Sequence, residues 1–150
     1  MQLQTIFSCS FLLPQVIQYR DPEERRIYLQ NYKETYLEKD IRPIEWIGDL
    51  HAYSNLLVLL AESEGNLIQY KHLSQTIGIA HQTLKKYLSV LEATFLQYFL
   101  YPYIFHAKRR LQKAPKTYFA DLGLVSLLSN LFDYEALVRT GAIGHRFESF

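Results

Sequence analysis

Seven cations and one acid fall between residues 81 and 116, a net charge of 7 − 1 = +6. The cations are Lys85, Lys86, Lys108, Arg109, Arg110, Lys113 and Lys116. Elsewhere the balance is mildly acidic: 6 − 8 = −2 over residues 1–50, 1 − 2 = −1 over 51–80 and 2 − 4 = −2 over 117–150. A whole-chain charge of +1 therefore hides one local positive field, and such an asymmetry points to an anionic partner more than the overall charge does. Gln82, Lys85, Lys86 and Ser89 recur at i, i+3, i+4 and i+7, the spacing that puts them on one face of a helix. Lysines so arranged can hold phosphates. The plainer alternative is a solvated helix face.

Other chemistries lack their parts. The five histidines, His51, His72, His81, His106 and His145, include no i, i+4 pair, and Cys9 stands alone, so no metal-ligand spacing and no disulfide is present. There is no G-x-S-x-G elbow for a nucleophilic serine. No glycine precedes a lysine, which removes the phosphate loop that nucleotide hydrolysis needs. Asp121 resembles a metal ligand less than a helix cap, and Glu148 alone cannot hold Mg²⁺. Catalytic residues, cofactor ligands and metal ligands are accordingly expected to be none.

These residues need elements to carry them. Asp21-Pro22-Glu23-Glu24 is a helix start, since Asp caps, Pro fits the first turn and the acids suit the dipole. That helix should run to about Arg42, with Leu29, Tyr32 and Tyr36 apolar and Glu38 paired to Arg42, before Pro43 ends it. Asp49 caps a second helix to about Glu62, striped by Leu50, Tyr53, Leu57 and Leu60, with Gly65 beyond its end. A short third helix over 70–77 ends at Gly78, and a fourth over 81–94 carries the stripe Leu84, Leu88, Leu91, Phe95.

Aromatic and branched residues over 95–105 predict a strand, and Thr117–Ala120 its return. The basic stretch 106–116 links them. The aromatics of the first strand can stack on bases, although hairpin packing is the more ordinary role of such a run. A further helix should open at Asp121 and reach about Asn130, with 131–140 helical as well. The longest purely apolar run, Leu56 to Ala61, has six residues, far short of the roughly 20 of a bilayer span. No cation precedes Arg20, so the start is no secretory signal. Unpaired Cys9 favours a reduced, cytoplasmic setting.

Several phrases resemble the C-terminal region, a domain of unknown function, of bacterial and archaeal AAA-type ATPases. They are Tyr36-Leu37-Glu38-Lys39-Asp40-Ile41; Gly78-Ile79 with Thr83, Tyr87-Leu88, Leu91-Glu92 and Thr94-Phe95; Lys108-Arg109, Lys113, Pro115-Lys116, Tyr118-Phe119, Asp121 and Gly123-Leu124; and finally Gly144, Phe147 and Glu148. The chain departs from that pattern at Leu122, Gln69 and Ala80. The last two are poor helix caps. The resemblance implies a winged helix-turn-helix followed by a domain similar to restriction endonucleases, with ATP and Mg²⁺ belonging only to a full-length protein.

The resulting expectation is a mainly α chain with a small β-hairpin: a leader and helical connector (1–48), a winged helix (49–120) and the truncated opening of a restriction-endonuclease-like α/β domain (121–150). Its expected function is accessory and non-catalytic. In one form it contacts duplex DNA through Gln82, Lys85, Lys86, Lys108, Arg109, Arg110, Lys113 and Lys116. In the other it is a protein-contact module that docks a P-loop ATPase domain or another subunit and binds no nucleic acid.

Overall fold

Three aspartates set where the main helices begin. The carboxylate of Asp21 accepts from the Glu23 N–H, that of Asp49 from the Ala52 N–H at 2.9 Å and that of Asp121 from the Leu124 N–H at 3.0 Å. Each satisfies an amide that the first helical turn leaves without a partner. In the computed structural model, which describes residues 13–103, 105, 113–132, 139 and 144, the order is α1 (Pro14–Gln18), α2 (Pro22–Thr35), a π-helical segment (Tyr36–Ile41), α3 (Leu50–Glu62), α4 (Tyr70–Ile77), α5 (His81–Ala93), β1 (Gln97–Leu100), β2 (Lys116–Phe119) and α6 (Leu122–Leu128). The architecture is thus mainly helical with a two-stranded antiparallel hairpin. No helix among the described residues is long and apolar enough to cross a membrane.

The connector helix departs from its expected form in its last turns. Tyr36 and Ile41 are both buried, yet residues five apart diverge by about 140° on an α-helix of 3.6 residues per turn. The wider i→i+5 ladder of a π-segment brings them back over one side. Glu38 and Arg42 pair at 2.7 Å on its exposed side, at the expected spacing. α1 is an element the sequence did not announce; it buries only Val16.

α3 is the central helix. Tyr53, Leu56, Leu57 and Leu60 are inaccessible to solvent, and α3 packs against α4, α6 and the π-segment. Leu84 and Leu91 of α5 and Leu124 and Val125 of α6 complete the same core. Each fully buried side chain of this size contributes about 1.5–3 kcal/mol. Gly78 takes the left-handed conformation, φ 81°, that closes α4 and turns the chain into α5.

β1 and β2 run in the register Gln97↔Phe119 to Leu100↔Lys116. On the far side of β2, the Gly65 N–H donates to Thr117 O, the Thr117 N–H to Asn66 O and the Ile68 N–H to Pro115 O. β2 is therefore the inner strand and β1 is paired along one edge only among the described residues. The strand expected over 95–105 is shorter than its composition suggested. Phe95 was placed on the buried stripe of the fourth helix; instead it has φ 56° and is 72% exposed. The left-handed turn at Phe95 hands the core position to Leu96, which is buried. The return strand starts one residue early, at Lys116. Residues 133–138, where more helix was expected, lie outside the described residues, as do Phe147, Glu148 and Phe150.

Candidate nucleic-acid interface

α5 has no side-chain cap at Ala80 and α4 none at Gln69. Packing therefore holds both helices. Leu84, Tyr87, Leu88 and Leu91 turn inward. Tyr87 packs edge-on against Tyr53, with ring centroids 5.2 Å apart, and its hydroxyl donates to the Asp49 carbonyl. Burial first, and then the Asp49 carboxylate, push the Tyr87 phenol above its ordinary pKa. Fixing the inner face fixes the outer one: Gln82, Lys85, Lys86 and Ser89 are all exposed, as their spacing required.

Two features of that face were missed in the sequence. The Lys86 ammonium lies 5.8 Å from the centroid of the Trp46 ring, a cation–π contact from the linker before α3. Trp46 is half-exposed and sits beside the basic row. Further along, Lys85, Leu88, Ser89 and Glu92, one helical face, form the floor of a cleft of about 250 Å³. Tyr70 of α4 and Phe99 and Tyr101 at the end of β1 form its walls. Tyr70 is braced by His81, whose ring meets it edge-on at 5.8 Å. Burial, then Tyr101, then Glu92 raise the Tyr70 phenol pKa above its ordinary value.

The remaining predicted residues divide. Lys113 is exposed just before β2. Lys116 lies within β2, opposite Leu100 and bridged to Leu67. Strand side chains alternate between faces, and Lys116 belongs to the outward set with Tyr118, whereas Thr117 and Phe119 are buried. Phe99, which lines the cleft, opposes Thr117 rather than Lys116. The fold therefore separates Lys116 from the Lys85 cleft. Lys108, Arg109 and Arg110 lie outside the described residues.

The hairpin aromatics were expected to pack, yet several keep much of their surface in solvent. Tyr98 is 48% exposed, Tyr103 93% and Phe105 90%. Buried polar groups do other work. Both carboxylate oxygens of Glu64 accept from the Phe119 N–H, at 3.2 and 3.1 Å, tying the end of α3 to β2. Gln97 and Thr117 pair side chain to side chain inside the hairpin. Among the described residues no three His, Cys, Asp or Glu side chains cluster as metal ligands.

The family model for a domain of unknown function, DUF8612, matches residues 12–135. Two uncharacterized mycobacterial proteins, Rv2008c of Mycobacterium tuberculosis and Mb2031c of Mycobacterium bovis, are each 26% identical to the chain over 138 residues, 92% of its length. That stretch is 31% of each relative, so the chain spans about a third of the length of the curated relatives it matches. No solved structure matches it.

Proposed function

The chain belongs to the DUF8612 family, and we propose that its part in these proteins is to contact DNA through a winged helix-turn-helix, with no chemistry of its own. The observation that carries this is the outer face of α5. Gln82, Lys85, Lys86 and Ser89 stand in solvent on the second helix of a helix–glycine–helix unit, the position from which such units enter the major groove. In this reading the hairpin that follows α5 is the wing, and Lys108, Arg109, Arg110 and Lys113 add phosphate contacts from the link between its strands.

The same reading makes the chain a region of an AAA-type ATPase, with residues from Asp121 onward opening a nuclease-like domain. Among the described residues the two glycines with positive φ, Gly65 and Gly78, are separate turns rather than a cradle of amides at a helix start, so no step through nucleotide is assigned to this chain.

Binding to a duplex should fall with salt along a straight log–log line. With four to six phosphates neutralised the slope is about −4 to −5. Lys85→Glu with Lys86→Glu should abolish binding while the helical circular dichroism stays unchanged. Unchanged duplex affinity in that folded variant would overturn the proposal. A specific observation favours the rival, a protein-docking module: Leu67, Tyr98 and Leu100 are large apolar side chains on or beside the hairpin and are 48–61% exposed. Exposed apolar side chains grouped in this way mark contact surfaces.

A further inference from the structure

We propose that the cleft between α4, α5 and the end of β1 receives an unpaired base, so that this surface takes single-stranded nucleic acid in addition to a duplex. The inference rests on the DNA-contact reading and extends it. Three observations converge on the cleft. Its walls are aromatic: Tyr70, held edge-on by His81, faces the end of β1, where Phe99 and Tyr101 follow each other on one side. At about 250 Å³ it lies below the roughly 300–1,000 Å³ of sites for drug-sized ligands, which suits one planar ring better than a whole nucleotide.

The mouth of the cleft is charged in a particular way. Lys85 and Ser89 belong both to the cleft floor and to the outer face of α5, so a backbone phosphate at Lys85 leaves its base within reach of the tyrosines. Glu92 lies at the other end of the same floor. Among the described residues neither Lys85 nor Glu92 makes an ion pair. A carboxylate in a basic groove repels phosphate, but it accepts from the amino group on the edge of cytosine. That amino group is open in the major groove of a duplex as well, but the ring face is covered there by stacking, whereas a single strand offers it.

Beyond the cleft the aromatic row continues into solvent with Tyr103 and Phe105. Water-exposed rings in a basic field are what sequence-tolerant single-strand binders use, a lysine or arginine on the backbone and an aromatic side chain under successive bases. A duplex-only groove binder has no use for them.

The test compares three probes at one salt concentration: a 12-nucleotide oligo(dC), an abasic 12-mer with the same backbone, and a 12-base-pair duplex. Trp46, the chain's one tryptophan, lies against Lys86 and reports binding by its fluorescence. Stacking and amino contacts should make oligo(dC) bind about tenfold or more tighter than the abasic strand. Tyr101→Ala should erase that difference and leave the abasic affinity unchanged, and Tyr101→Phe, which keeps the ring, should retain it. Equal affinity for oligo(dC) and the abasic strand overturns the base site. So does a Tyr101→Ala variant that weakens both strands alike or neither. If the duplex still binds in a salt-dependent way in those cases, the DNA-contact reading stands without the base site. If none of the three probes binds, both are overturned and the exposed hairpin face is left to a protein partner.

Discussion

The chain's twelve tyrosines include two groups treated in opposite ways. On the connector side, Tyr36 and Tyr53 are buried with their hydroxyls 3.0 Å apart, and the Tyr36 hydroxyl also lies 3.0 Å from Thr94 Oγ1. Thr94 in turn donates to the Val90 carbonyl at the end of α5. One chain of hydroxyls thus links the π-segment, α3 and α5. On the hairpin side, Tyr98, Tyr101 and Tyr103 keep their rings at the surface. A buried phenol is costly unless its hydroxyl is paired, and the first group meets that condition. The second group leaves 38–93% of each residue's surface in water. Residue type alone does not separate a buried tyrosine from an exposed one; the fold around it does.

The sharpest way to break this comparison is truncation on each side. Tyr53→Ala removes a fully buried ring and leaves the Tyr36 hydroxyl with one partner fewer, and losses for large aromatic truncations in cores run to about 3–5 kcal/mol. Tyr103→Ala removes a ring that is 93% exposed, and such surface changes stay within about 0.5 kcal/mol. Urea unfolding of the two variants should show this gap. A Tyr103→Ala variant as unstable as Tyr53→Ala would mean that the hairpin tyrosines are structural after all.

A subtler separation uses pH. Burial is the leading cause that raises the pKa of Tyr32, Tyr36, Tyr53, Tyr70 and Tyr87 above the ordinary value of 10.0. The folded state then keeps protons that the unfolded state releases. Stability is unaffected by these groups below pH 10 and falls as pH rises above it, by up to about 1.4 kcal/mol per pH unit for each phenol that remains protonated. Tyr53→Phe should flatten the alkaline limb of a stability–pH curve relative to its own neutral baseline. An alkaline limb unchanged by Tyr53→Phe would show that this buried phenol does not control it.

How much of this was legible in the sequence follows from the range of the interactions. Asp21, Asp49 and Asp121 were readable as caps because a cap bonds within three residues of itself. Gly78 and the Glu38–Arg42 pair are equally local. The exposed row on α5 could be found by counting, since Gln82, Lys85, Lys86 and Ser89 share one face whatever the helix packs against. The failures depend on tertiary contacts. Glu64 reads as a surface acid until its partner, the Phe119 amide 55 residues away, is in place. The π-segment exists because Tyr36 and Ile41 must both face a core built by other elements. The cleft joins Tyr70 and Tyr101 from two elements that no short-range pattern connects, and Phe95 reads as one more stripe residue until its positive φ removes it.

The caps show a further contrast: α4 and α5, whose residues line the cleft, have no side-chain cap, while the core helix α3 has a bonded one at Asp49. Ala80 has φ −64° and ψ 147°, the extended backbone from which a cap side chain reaches back to the first-turn amides, but a methyl group accepts no hydrogen bond. Ala80→Ser supplies the acceptor without moving the backbone. Changes between Ala and a good cap are worth about 0.5–2 kcal/mol, typically near 1, so the variant should be more stable by about 1 kcal/mol in urea. The gain should be local as well as global. Amides in the first turn of α5, His81 to Leu84, should exchange more slowly, while exchange through local opening around Tyr36 should be unaffected. The added hydroxyl lies at the end of the helix that carries Gln82, yet it neither adds nor removes charge, so the salt slope of any duplex binding should be the same as before. A variant with no gain in stability would show that the first-turn amides of α5 are already satisfied.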